Sequence, residues 1–313
     1  MKKNIRIGTR GSPLALLQAE EIRTLLYAAY PGLQAEADLE IVPIRTTGDW
    51  RPEHLDRRFI DMGGNKSLFT KEIEDALLEG HVDIATHSVK DIASILPDGL
   101  GLAAVAPRMN PCDAFIGRDA QRLEDLPEGA VVGTSSLRRQ AQILAQRPDL
   151  RTVPLRGNVE TRLKKLEDGK AAATILAVAG LERIGLEKHV SSVMPVAQML
   201  PAAGQGALGV QIRTGDEDMR AFVAPINDKA AATCITAERA AMRAIEGSCQ
   251  TPAGAYATLD AGGGLVLEAL VARADGTGLL RLSSSGTADD AEKIGDALGK
   301  ELRHKSPPDL FPD

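Results

Sequence analysis

Val131-Val132-Gly133-Thr134-Ser135-Ser136-Leu137-Arg138-Arg139 reads as a short apolar strand, a hydroxyl-rich turn and the first turn of a helix that begins with two arginines. The same order of parts occurs twice more. Ile5-Arg6-Ile7-Gly8-Thr9-Arg10-Gly11-Ser12-Pro13 is one instance, and Val153-Pro154-Leu155-Arg156-Gly157-Asn158-Val159-Glu160-Thr161-Arg162 is the other. A helix start carries unpaired backbone N–H groups and partial positive charge, so it suits an anion. Arginine adds a planar fork that matches a carboxylate. Three such corners on one chain point to a ligand with many negative groups. Cationic side chains in a first helical turn oppose the helix dipole, so Arg138, Arg139 and Arg162 call for a bound anion rather than for solvent.

Working outward, strands and helices alternate on both sides of these corners. Ser12 is placed to cap a helix with Pro13 at its first position and Ala15, Ala19, Ile22, Leu26 and Ala29 as its buried stripe. Leu39 to Ile44 reads as a second strand. Phe69, Ile73, Ala76 and Leu77 mark a helix closed by Gly80, and Val82 to Thr86 is a strand that delivers His87-Ser88-Val89-Lys90-Asp91. Such alternation implies parallel α/β sheets, whose ligands sit beyond the carboxyl ends of the strands. The last quarter differs. A helix from Asp228 to Glu246 precedes strands at 254–259, 265–274 and 278–285, joined by Gly262-Gly263-Gly264 and Asp275-Gly276, turns that suit antiparallel hairpins. Ile294, Ala297, Leu298 and Leu302 stripe a final helix. The expected architecture is two α/β domains facing a cleft, with Pro107–Pro111 and Pro195–Gly206 as crossing segments, plus a C-terminal α+β domain with a three-stranded antiparallel sheet. The expected bounds are 1–106 with 201–224, then 107–200, then 225–313.

The 313 residues allow two or three domains. Aromatic content of 3% argues against stacking platforms for single-stranded nucleic acid, and a net charge of −6 against a general polyanion binder. Met1-Lys2-Lys3 is followed by no apolar export segment, and no stretch is long enough to span a membrane, so a cytoplasmic location is expected. Cys112, Cys234 and Cys249 are too few and too scattered for a disulfide framework or a zinc site. Cys234 lies within a helical run and reads as core. Cys249, in the loop Gly247-Ser248-Cys249-Gln250-Thr251-Pro252, reads either as a reactive thiol or as a small buried hydrophobe. Asp91 is either half of a surface ion pair or a strand-end carboxylate that meets a developing cation. His87 is a candidate acid or base, although a lone histidine is more often packed or solvated.

At this depth the residues resemble the porphobilinogen deaminase family. The similarity runs through Thr9 to Leu16, Lys66-Ser67-Leu68-Phe69-Thr70-Lys71-Glu72, His87 to Asp91, Gly133 to Gln140, Leu155 to Arg162, Ile175 to Leu181, Pro201 to Ala207 and the Cys249 loop, in family order. The resemblance implies periplasmic-binding-protein-like first and second domains and a dipyrromethane cofactor joined by a thioether to Cys249. It implies an enzyme of tetrapyrrole biosynthesis that deaminates porphobilinogen and joins four units into hydroxymethylbilane, acting as a monomer. It implies catalytic roles for Asp91 and Lys90. Cofactor contacts would come from Lys90, Asp91, Thr134, Ser135, Ser136, Arg138 and Arg139. Substrate contacts would come from Arg10, Ser12, Lys66, Phe69, Arg156, Arg162, Arg183 and Gln205. Acetate and propionate arms on each pyrrole are the many carboxylates the corners called for. Three details depart from the family pattern: Ile92-Ala93 replaces a proline-containing step, Gly63-Gly64-Asn65-Lys66 is one residue longer than the common form, and Cys112 replaces a basic or polar residue. A non-enzymatic solute-binding protein is the alternative, disfavoured by the missing export signal and the extra domain.

Overall fold

A computed structural model of the chain describes residues 4–33, 39–47, 69–245 and 251–311. The chain opens with strand β1 (Ile5–Arg10), helix α1 (Pro13–Ala29), strand β2 (Leu39–Ile44), helix α2 (Lys71–Leu78) and strands β3 (Ile84–Ser88) and β4 (Leu100–Val105). A second run holds β5 (Asp113–Gly117), β6 (Val131–Gly133), α3 (Leu137–Gln146), β7 (Arg151–Val153), α4 (Val159–Glu167), β8 (Ala173–Ala177), α5 (Val178–Arg183) and β9 (Ser192–Met194). Then follow β10 (Leu208–Arg213), α6 (Glu217–Val223) and α7 (Lys229–Ile245). The chain closes with β11 (Ala253–Leu259), β12 (Gly264–Val271), β13 (Leu280–Thr287) and α8 (Ala291–Lys305).

Two compact units emerge. The first gathers the described residues up to 47 with 69–109 and 206–232; the second gathers 110–205 and 233–311. In the first, the sheet order is β2-β1-β3-β10-β4. Strand β1 pairs in parallel with β2 and β3, whereas β10 runs antiparallel to β3 and β4. In the second, the order is β7-β6-β8-β5-β9, with β5 antiparallel to β8 and β9. The two orders are the same pattern. Each sheet is therefore mixed, which corrects the expectation of parallel sheets. The antiparallel member is in each case the strand that follows a proline-bearing segment, Pro107–Pro111 before β5 and Pro195–Gly206 before β10. Such a strand enters from outside the local βα alternation and is not bound by its direction.

The sequence pattern explains the packing. Ser12 Oγ accepts from Ala15 N at 3.3 Å, Pro13 opens α1, and Ala15, Ala19, Ile22 and Leu26 are buried. That stripe meets Ile5 and Ile7 of β1 and Ile84 of β3 in one apolar cluster. Strand β3 starts two residues later than its apolar run suggests, because Asp83 binds the Arg6 side chain and backbone before the ladder begins. The C-terminal sheet has order β11-β12-β13, all antiparallel, with α7 and α8 packed over its Ala255, Leu265, Leu267 and Ala269 face. Cys234 is in that core, as expected. Glu238 of α7 is fully buried, and its two oxygens accept from Gly204 N at 2.7 Å and Ala257 N at 2.9 Å.

Helix α8 differs from its predicted stripe. Ile294, Leu298 and Leu302 are buried, but Ala297 is exposed, and Gly295 and Gly299 face inward instead. A Cβ at Gly295 would collide with the Ala237 carbonyl oxygen, and one at Gly299 with that of Ala241. The two helices touch backbone to backbone. Gly295→Ala and Gly299→Ala should each lose roughly 1–3 kcal/mol of stability through overpacking, outweighing the ~1 kcal/mol that alanine gains in helix propensity. Urea unfolding of each variant checks this.

Candidate functional site

In the first unit, β1 ends at Arg10 and β3 at Ser88, side by side in the sheet. A single turn of 3-10 helix, Val89–Asp91, follows β3. Val89 and Ile92 are buried and anchor it, and Val89 N donates to Ala207 O at 3.0 Å. Lys90 and Asp91, half-buried between these anchors, are thereby fixed at the strand end. The Arg10 guanidinium lies 4.7 Å from the centre of the Phe69 ring, a cation–π arrangement. Thr70, the next residue, precedes α2 and donates from Oγ1 to Glu74 Oε2 at 3.2 Å. Thr47 donates to Glu72 of the same helix through both its backbone N–H and its hydroxyl. Ser12 serves as the cap of α1, as read from sequence. Lys66 and Cys249 lie outside the described residues.

His87 occupies the centre of this corner. It is buried, and burial drives its pKa down to about 4, with Arg10 acting in the same direction and Asp91 and Gln211 opposing. The imidazole is neutral at pH 7.

In the second unit, Ser136 caps α3 by accepting from Arg139 N at 3.4 Å, and buried Thr134 Oγ1 accepts from Ser136 N at 3.2 Å. The arginines at this helix start do not reach outward. Arg138 donates to Asp113 Oδ2 at 2.8 Å and to Leu200 O at 2.5 Å. Arg139 donates to Asp113 Oδ1 from Nε and Nη2, at 3.1 and 2.7 Å, and to Ile175 O at 2.9 Å. Gln205 Nε2 donates to the same Oδ1 at 3.0 Å and to Pro111 O at 2.6 Å. The expectation that an external anion must compensate Arg138 and Arg139 is thus corrected: the chain supplies that anion as Asp113. Burial would raise the Asp113 carboxyl, but the two guanidinia overcome it and hold the group well below the usual carboxylate range. Burial likewise pulls Arg138 down from its ordinary value.

Sequence reasoning missed Asp113. The available signal is the demand of two adjacent arginines for a counter-ion, but Asp113 lies 25 residues before Arg138, at the start of an inserted strand. Cys112, next to it, is half-buried, and burial raises its thiol pKa.

The third corner is more open. Asn158 caps α4 through Thr161 N at 2.9 Å, Arg162 Nε donates to Gly157 O at 2.8 Å, and Lys165 Nζ donates to Arg156 O at 3.0 Å. Arg156, Arg162 and Arg183 are all half-buried. The structure thus brings Arg10, Phe69, His87 and Asp91 together in one unit. In the other it brings Gln205, Arg138 and Arg139 together around Asp113. Taken unit by unit, the hydroxyls and helix-start N–H groups of the second are of the kind that suits carboxylate arms, and the Arg10 guanidinium and strand-end Asp91 carboxylate of the first are of the kind that suits a carboxylate arm and a pyrrole N–H. Among the described residues no group of three or more His, Cys, Asp or Glu could hold a metal ion, and no helix is long and apolar enough to cross a membrane.

The folds and strand-end corners define a protein of two mixed α/β sheets with a helix-covered antiparallel C-terminal sheet. The sequence profile described as "Porphobilinogen deaminase, dipyromethane cofactor binding domain" matches residues 5–221, and that of the porphobilinogen deaminase C-terminal domain matches 232–304. The chain is 49% identical over 298 residues to the porphobilinogen deaminase of Chromobacterium violaceum, covering 95% of this chain and 94% of that one. It is 48% identical to that of Paracoccus denitrificans, covering 98% and 96%, and 45% identical to the chloroplastic enzyme of Oryza sativa, covering 98% and 85%. A looser structural likeness, TM-score 0.43 at 13% identity, covers 73% of this chain and 94% of a periplasmic substrate-binding protein from Coxiella burnetii. The chain belongs to the porphobilinogen deaminase family.

His87 titrates near 6.5 when unfolded and about 4 when folded, so the unfolded chain binds more protons between those values. The associated stability is complete above 6.5 and falls by about 3 kcal/mol as the pH drops to 4. Melting curves across this range should show the loss in the native chain and not in His87→Gln. Asp113→Ala should cost on the order of 3–5 kcal/mol at pH 7, because it leaves two buried guanidinia without their counter-ion. Denaturant unfolding measures this.

Proposed function

We propose that this chain is the transferase that deaminates four porphobilinogen molecules and joins them head to tail into hydroxymethylbilane, on a dipyrromethane primer held by Cys249. Family membership across nearly the whole chain supports the activity. The observation that carries the residue assignment is the placement of Asp91 on a short turn anchored by Val89 and Ile92, beside Arg10 and Lys90 at the strand ends.

As ammonia leaves the substrate, positive charge develops on its pyrrole. A carboxylate already in place, Asp91, lowers the energy of that charge without reorganising, and Lys90 is its neighbour in the same turn. Arg10, oriented by Phe69, and Ser12 take substrate carboxylates in the first unit, with Lys66 as a further contact. In the second unit Thr134, Ser135 and Ser136 offer hydroxyl and helix-start donors. Arg138, Arg139 and Gln205, engaged on Asp113, act on the cofactor by holding that helix start in place. Arg156, Arg162 and Arg183 take the carboxylates added as the product lengthens. When bound, the dipyrromethane supplies the pyrrole carbon to which the first unit is joined and tethers the chain to the protein. Residues 1–106 with 201–224, 107–200 and 225–313 act as three domains, the last carrying the cofactor cysteine. The enzyme works as a cytoplasmic monomer with no nucleic-acid or membrane partner.

Cys249→Ser should fold but lack the covalent adduct in intact-mass measurement and form no product. An adduct retained in Cys249→Ser and lost in Cys112→Ser would reassign the attachment. Asp91→Ala, loaded with cofactor, should lose turnover by about 10²-fold or more, the scale of one preorganised electrostatic contact, with its melting temperature nearly unchanged. Near-normal turnover would overturn the role of Asp91.

A further inference from the structure

Cys249 falls in the chain between α7 and β11, and described residues on both sides of it meet the segment that follows α8. Pro307 and Pro308 restrict the backbone of that segment, and Pro308–Leu310 form a single turn of 3-10 helix in which Leu310 N donates to Pro307 O at 3.0 Å. Leu310 is buried in the same apolar cluster as Ile245, the last residue of α7, and Phe311 packs against that cluster. Arg303, in the last turn of α8, donates from Nη1 to Ile245 O at 2.9 Å, and its guanidinium lies 5.3 Å from the centre of the Phe311 ring. It thus satisfies a terminal carbonyl of α7 and sets a cation at the negative end of that helix. On the other side of Cys249, Thr251 Oγ1 donates to Leu310 O at 3.5 Å, and Pro252 O accepts from Ala272 N at 3.0 Å. The next residue, Arg273, donates to Asp309 from Nε and Nη2 at 2.8 and 2.9 Å. The segment adds no strand to the C-terminal sheet, whose order is β11-β12-β13. Its contacts converge instead on residues 245, 251 and 273.

We infer that Arg303, Asp309, Leu310 and Phe311 are positioning residues for the attachment cysteine: they hold Ile245 and Thr251, the two ends of the span that carries Cys249, so that its thiol is presented in one place. The inference rests on the reading of Cys249 as the attachment residue. Attachment exchanges bonds at one carbon. The Cys249 sulfur bonds the aminomethyl carbon of a porphobilinogen, the C–N bond breaks, and the nitrogen leaves as ammonia with the thiol proton. Such a step is fast when the reacting atoms are already placed. A short span with both ends fixed settles the ordering of the thiol at folding, before any substrate arrives. With one end released, the sulfur samples more positions and meets the carbon less often.

The test follows attachment. Full-length protein made without porphobilinogen is then given it, and intact mass reports the fraction of chains carrying the adduct against time. Arg303→Ala and Phe311→Ala should load about 10-fold more slowly, within the range that misplacement of a reacting group can cost. Arg303→Lys, which keeps a cation and a donor for Ile245 O, should recover most of the loss. Gly295→Ala crowds α8 against Ala237 and controls for stability alone. It should load at the native rate even where its melting temperature falls as far as that of the other variants. A nitroxide on Cys249 in cofactor-free Cys112→Ser protein, where Cys234 is buried, should give a narrower spectrum once Arg303→Ala or Phe311→Ala is added and an unchanged one with Gly295→Ala. Native loading rates in folded Arg303→Ala and Phe311→Ala would overturn the inference. So would equally slow loading in Gly295→Ala, or a nitroxide spectrum that Arg303→Ala and Phe311→Ala leave unchanged. An adduct retained in Cys249→Ser would instead overturn the reading of Cys249, a separate measurement from these.

Discussion

The second unit is organised around one buried carboxylate. Asp113 accepts hydrogen bonds from two guanidinia and a carboxamide, and through them it joins β5 to α3, to β8 at Ile175 and to the segment at Leu200 and Gln205. Burying three charged groups costs several kcal/mol per ion before pairing offsets it. The arrangement is tolerable only because both carboxylate oxygens and both guanidinia have partners. Its return is rigidity, since a fully satisfied polar network admits one geometry. The start of α3 and its Thr134-Ser135-Ser136 turn are held where that network puts them. Glu238 extends the same principle by fixing the Gly204 backbone to β11.

The first unit solves its corner differently. There the central buried group is an imidazole that stays uncharged, and the Asp91 carboxylate is half-buried on a short turn. The two units share a strand order but distribute charge in opposite ways. One cancels its charge internally and gains a fixed framework. The other keeps its central buried group, His87, uncharged.

Much of this was legible in the sequence. Helix α1, strand β2 and the three-stranded C-terminal sheet follow directly from a cap, an apolar run and glycine turns, because those signals are local. What escaped was non-local. The antiparallel β5 and β10 lie beside strands distant in sequence, and no periodicity in their own short runs indicates direction. The pairing of Arg138 and Arg139 with Asp113 spans 25 and 26 residues, so the arginines looked like ligand groups in search of an anion. The inward turn of Gly295 and Gly299 was hidden because hydrophobic stripes are sought in large residues, while close helix contact selects small ones. In the first unit, Asp91 stood out by its motif, whereas the Glu74–Gln211 hydrogen bond joins a helix and a strand 137 residues apart.

The shared strand order has a consequence for how the molecule comes into being. The first sheet's fourth position belongs to β10, which lies at residues 208–213, beyond every element of the second α/β sheet. During synthesis the amino-terminal strands β1, β2 and β3 are made first but have no neighbour for the far edge of β3. The second α/β sheet, whose five strands all fall between 113 and 194, is complete earlier. Closure of long loops slows folding, and a sheet missing a central strand exposes an unpaired edge. The order of emergence from the ribosome is therefore not the order of completion: the sheet encoded second can finish first, while the sheet carrying Asp91 waits for the chain to come back.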